Sequence, residues 1–88
     1  MASYKIIIFA KVYKDLKKIP KDIVRDIFLE TENLADNPRP RNCKKLKGMD
    51  GNEYRLKVRK DYRVLYQVFD KEKTVHVLRV LDRKDAYR

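Results

Sequence analysis

The segment from Glu53 to Arg59 constrains this chain more than any other. Tyr54, Leu56 and Val58 alternate there with Arg55, Lys57 and Arg59. A period of two marks a β-strand, whose successive side chains point to opposite faces of a sheet. The apolar and aromatic set can pack into a core. The cationic set cannot, because unpaired charge is expelled from an apolar interior. The sheet that contains this strand therefore has one covered face and one open face, and the open face carries positive charge.

The rest of the chain supplies the cover. Tyr4 to Phe9 is rich in β-branched and aromatic residues and predicts a first strand. Ala10 to Ile19 spaces Val12, Leu16 and Ile19 helically, and Pro20 ends that helix and starts the next. Lys21 to Asp36 predicts the longest helix. It carries Ile23, Ile27, Thr31 and Leu34 on one stripe with Val24, Phe28 and Ala35 beside it, a width suited to lying on a sheet. Two prolines between Asn37 and Asn42 break it. Lys44 to Lys47 predicts a short strand and Gly48 to Asn52 a turn. Tyr62 to Phe69 and Thr74 to Leu81 predict two further strands around a turn at Asp70 to Lys73, and Arg83 to Arg88 a short tail. The short connections make the later strands an antiparallel meander. The expected fold class is α+β, one domain over residues 1–88: two N-terminal helices on one face of a mainly antiparallel sheet of four or five strands, in the order β-α-α-β-β-β with the short strand added.

Charge narrows the function. The 88 residues hold 23 Lys+Arg against 13 Asp+Glu, a net +10, which attracts polyanions in a salt-dependent way. Cys43 and His76 are the only residues of their kinds, so no disulfide, zinc set or histidine pair can be built within the chain, and no cofactor is expected. The lone thiol fits a reducing cytoplasm. The apolar run Ile6 to Ala10 is too short for a signal sequence or a membrane span. Tyr4, Tyr54, Tyr62 and Tyr66 fall at strand spacing and read as core or sheet rim. His76 reads as a half-buried packing residue and Cys43 as a bystander.

Arg63 follows the alternating strand after a tight connection at Lys60-Asp61, so strand pairing is expected to bring it beside Arg55 and Lys57. Arg83 lies just past the last strand and can close the same patch, with Tyr87 four residues later. One reading is an ordinary solvated strand face. The other is an anion site, since like charges packed this densely repel one another unless an anion is bound, and the planar fork of arginine suits phosphate.

The run KLKGMDGNEYRLKVRKDYRVLYQVFD, closing with DRKDAYR, resembles the RelE/ParE toxin superfamily. The likeness lies in a leucine-glycine segment, a YRL-type strand, a strand of the form YR-hydrophobic-hydrophobic-Y, and a terminal R-x-D-x-Y element. KDLKKIP and the NPRP breaker extend it, more loosely, to the helical half. The resemblance implies a compact α+β toxin neutralised by an acidic antitoxin. Its RelE-like members cut mRNA in the ribosomal A site, and its ParE-like members poison DNA gyrase and lack the nuclease residues. Arg55, Lys57, Arg63, Arg83 and Tyr87 match the RelE-like catalytic positions, with Arg55 standing where well-studied members have lysine. Arg59, Lys60 and Lys47 are expected to add RNA contacts. The expectation is a cytoplasmic, metal-independent endoribonuclease with mRNA, ribosome and antitoxin as partners and no membrane.

Cleavage by the RNA's own 2′-hydroxyl needs a base, cations for the crowded phosphate and an acid for the leaving oxygen. Lys57 is the expected base, since positive charge at Arg55 and Arg59 favours an unprotonated amine. Arg55 and Arg63 hold the phosphate, Arg83 serves the leaving group, and Tyr87 stacks on a base or orients the nucleophile. The rival readings are a gyrase poison and a nucleic-acid-binding module without catalysis.

Overall fold

A computed structural model describes residues 3–47 and 51–86. The elements, in order, are β1 (Lys5–Ile8), α1 (Ala10–Leu16), α2 (Lys21–Asn33), β2 (Cys43–Lys45), β3 (Glu53–Val58), β4 (Tyr62–Phe69), β5 (Thr74–Asp82) and the one-turn helix α3 (Arg83–Ala86). They form the expected α+β arrangement. Both N-terminal helices end earlier than their apolar spacing suggests. The backbone turns before Pro20 and again at Leu34, where the chain prepares for the proline-rich break. The Pro20 carbonyl accepts the amides of Ile23 and Val24, which starts α2, and Asp22 in the first turn favours the helix dipole.

The five strands lie in the order β1-β5-β4-β3-β2. β2 to β5 form the antiparallel meander, and β1 joins as a parallel edge strand, pairing Ile6 with Val75 and Ile8 with Val77. A helical connection from β1 is what permits this parallel pairing.

The inward face carries Tyr54, Leu56 and Val58 of β3, Val64, Tyr66 and Val68 of β4, and Val75, Val77 and Val80 of β5. They meet Val12 and Leu16 of α1, Ile27 of α2, and Leu34, with Ile23, Val24 and Phe28 packed at the margin. β5 does not hold a strict alternation. Tyr66 pairs with Val77 but Leu65 pairs with Arg79, so Leu78 is an extra residue. Val75 and Val77 thus point inward on one side of the bulge and Val80 on the other.

Past Val77, β5 has no β1 neighbour, because the chain has turned into α1. The Asp15 carboxylate fills the gap: it accepts the Val80 amide at 2.9 Å and both Nε and an Nη of Arg79 at 2.9 Å. Burial pushes the Asp15 carboxyl pKa up, but these donors and the positive charge of Arg79 outweigh it and hold the group below its usual range.

A second polar knot ties the proline-rich segment to the sheet. Arg39 reaches both carboxylate oxygens of Asp70, donates to the Tyr54 hydroxyl at 2.9 Å and stacks over the Tyr54 ring. The Tyr4 hydroxyl donates to Asp70, and the buried Tyr66 hydroxyl donates to the Pro38 carbonyl at 2.8 Å. Burial pushes the Tyr66 phenol pKa upward, so it remains a donor. Of the four tyrosines expected in the core or at its rim, Tyr4, Tyr54 and Tyr66 are buried and Tyr62 is half-buried. His76 is half-buried on the open face between the Phe9 and Phe69 rings, and Cys43 packs against the core edge.

A cationic cleft on the open face of the sheet

The strand register decides which cations meet. Arg55 pairs with Leu65 and Lys57 with Arg63 across β3 and β4, while Lys44 of β2 pairs with Arg55. Directly opposed residues point to the same face, so Lys44, Arg55, Lys57 and Arg63 share the face opposite the helices. The Lys57 amide donates to the Asn42 carbonyl at 2.9 Å, and its carbonyl accepts the Asn42 side-chain amide at 2.7 Å. Both peptide groups of Lys57 are thus spent towards β2. The Lys57–Arg63 pair is therefore of the non-hydrogen-bonded kind, in which opposed residues approach most closely.

Two depressions open here. One is lined by Arg41, Asn42, Cys43, Lys44, Arg55, Lys57 and Arg63. The other is lined by Lys57, Lys60, Arg63 and Arg83. Lys57 and Arg63 form the wall between them. Arg83 arrives because its amide donates to the Asp61 carbonyl at 2.7 Å, which continues the β4–β5 ladder past the strand ends. Arg63 is only 6% exposed, and one of its Nη atoms donates to the carbonyls of Lys60 and Tyr62. A guanidinium held so firmly presents a fixed fork.

Among the described residues, no carboxylate lines either depression. The ion pairs of the described residues join Arg39 to Asp70, Arg59 to Asp22 and Asp26, and Arg79 to Asp15. Arg41, Lys44, Lys57, Lys60 and Arg83 pair with no described carboxylate. The cleft is a concentration of positive charge that an anion would neutralise.

The sequence expectation needs correction at Arg59. Arg59 does not continue the face of Arg55 and Lys57. It lies past the end of β3 at φ +52, a left-handed turn conformation that sends its side chain back to α2, where it bonds Asp26 at 2.6 Å. Lys47 is exposed beyond β2 and lines neither depression. Arg55, Lys57, Lys60, Arg63 and Arg83 do come together, and Tyr87 lies outside the described residues. Arg41, Lys44 and Asn42 were missed. The break that contains Arg41 and Asn42 looks only like helix termination in the sequence, and the face taken by Lys44 depends on how the turn ahead of β3 sets the register.

The site and fold thus define a small α+β protein with an anion-attracting sheet face. Residues 6–87 match the family described as ParE toxin of type II toxin-antitoxin system, parDE. Among curated proteins no match was found. The fold is similar to the archaeal RelE–RelB complex of Pyrococcus horikoshii OT3, at 32% identity over 92% of this chain and 96% of that one, with a TM-score of 0.81. It is also similar to the toxin–antitoxin complex RelBE2 of Mycobacterium tuberculosis, at 28% identity over 94% of each chain and a TM-score of 0.79. The isolated RelE toxin of E. coli matches at 26% identity over 91% of this chain and 84% of that one, with a TM-score of 0.75. The chain belongs to the ParE toxin family of the RelE/ParE superfamily and is a toxin of a type II toxin–antitoxin system.

Proposed function

We propose that this toxin is a RelE-type endoribonuclease that cuts mRNA in the ribosomal A site and so arrests translation. The observation that carries the reading is the wall of Lys57 and Arg63 between two cationic depressions, with Arg55 on one side and Arg83 on the other. A scissile phosphate seated on that wall has cations on every side and a primary amine within reach.

The Lys57 amine accepts the proton of the attacking 2′-hydroxyl. Arg63 and Arg55 neutralise the charge that builds on the phosphate. Arg83 stabilises the departing 5′-oxygen, which takes up a proton from solvent water. The 2′-oxygen bond to phosphorus forms as the 5′-oxygen bond breaks, leaving a 2′,3′-cyclic phosphate and a 5′-hydroxyl. Tyr87 is assigned to stacking on a splayed base. The protein acts in the cytoplasm, and its partners are the ribosome, mRNA and an acidic antitoxin. Complexes with RelB among the similar structures support the antitoxin. Among the described residues no helix is long and apolar enough to cross a membrane.

The test is to induce the toxin in cells and map mRNA 5′ ends. Cuts at codon-aligned positions in translated messages are expected. Lys57→Ala, at an exposed position, should abolish them while retaining the wild-type circular dichroism. The family match to ParE favours a second reading, gyrase poisoning. Intact messages together with gyrase–DNA adducts would replace the first reading with it.

A further inference from the structure

We propose that Arg41 and Lys44 form a second phosphate subsite on the β2 side of Lys57, which grips a single-stranded RNA next to the phosphate that is cut. This rests on the reading of the cleft as an RNA-cleaving site.

The catalytic wall is shared by both depressions, yet only one of them is closed by residues with assigned roles. On the β5 side the far end is Lys60 and Arg83. On the β2 side it is Arg41 and Lys44, to which the cleavage chemistry gives no task. Lys44 lies one strand over from Lys57 and two residues along the sheet, because it pairs with Arg55. That offset is about 8 Å from strand spacing and rise. It carries positive charge beyond the reach of one phosphate and along a line that crosses the strands.

The segment that holds these two cations is fixed on three sides. Asn42, between them, grips both peptide groups of Lys57 and also donates to Glu30 of α2 at 2.8 Å. The Cys43 amide donates to the Pro40 carbonyl, and Cys43 itself packs on the core. Upstream, Arg39 is held by Asp70 and Tyr54. A wall anchored this way orders its cations before the ligand arrives, so less entropy is lost on binding. Neither Arg41 nor Lys44 has an acidic partner among the described residues.

The probe is a short 2′-O-methyl RNA, which lacks the attacking hydroxyl and cannot be cut. Its affinity is measured against salt for the wild type and for the double variant Arg41→Ala/Lys44→Ala. One lost phosphate contact on a single strand lowers the salt slope by about 0.7, with a loss in affinity of about tenfold. A control variant, Lys11→Ala/Lys14→Ala, removes the same charge from α1 behind the sheet. Equal losses in both variants, an unchanged slope in the first, or no binding by the wild type overturns the subsite. Failure of the cleavage reading looks different: messages stay intact on induction, whatever the oligonucleotide does. Cleavage in cells with no difference between the double variant and the wild type sinks the subsite alone.

Discussion

Removing the charge of Lys57 should stabilise the free toxin while destroying its activity. Lys57 faces Arg63 across the ladder, stands two residues from Arg55 and shares a depression with Arg83. Lys57→Gln keeps the first methylenes of the stem and deletes the charge. Two like charges about 7 Å apart in water repel by about 0.6 kcal/mol, and ionic strength near 0.1 M roughly halves that. Three such neighbours sum to about 1 kcal/mol. In a domain of this size that raises Tm by about 4–8 °C. The assay is thermal unfolding of the variant and the wild type, first at about 0.1 M salt and then at about 1 M, where the Debye length falls to about 3 Å. The difference should nearly vanish at the higher salt. A variant that melts below the wild type, or a gain that salt leaves untouched, would show that repulsion in the cleft is not what Lys57 costs the fold.

Asp15→Ala strips the partners from the Val80 amide and Arg79, and should cost about 2–3 kcal/mol in denaturant unfolding. Because the Asp15 carboxyl is held below its usual range, its contribution is complete above the unfolded pKa of about 3.9 and fades as pH falls through the lower folded value. Acid titration of Asp15→Asn should therefore show a shallower loss of stability than the wild type below about pH 4. Arg59→Ala, whose ion pairs face α2 and solvent, should change affinity for the uncuttable RNA by less than about twofold. Leu56→Ala, deep in the core, should cost about 2–5 kcal/mol and abolish toxicity by unfolding rather than by chemistry.

The alternation from Tyr54 to Val58 was enough to read the sheet's two faces, because each residue obeys the pleat and the apolar partners on β4 share its period. It failed at Arg59, where one positive φ in the following turn reverses the side chain. Periodicity carries no information about such a dihedral. The meander was legible from its short connections. The parallel seat of β1 was not, because it depends on how α1 and α2 return the chain across the sheet. Arg41 and Lys44 stayed hidden for a related reason. Their place is set by the tertiary hold of Asn42 on Lys57 and by the β2–β3 register, and neither has a local signature. Lys60 and Arg83 could be placed because they sit within a residue or two of strand ends whose pairing the hairpins fix.

The bulge at Leu78 works as a parity switch. It leaves Val75 and Val77 facing the helices, then moves every later residue of β5 to the opposite side from where simple alternation would put it, so that Val80 is covered and Arg83 reaches the cleft. Absorbing Leu78 into a regular ladder would send Arg83 under the helix layer and Arg79 into the core, whereas deleting Leu78 would leave both on their present faces. The same chain in a bulge-free register could thus keep every proposed cleft side chain and still lose the cleft, which makes the register of this strand as consequential as its composition.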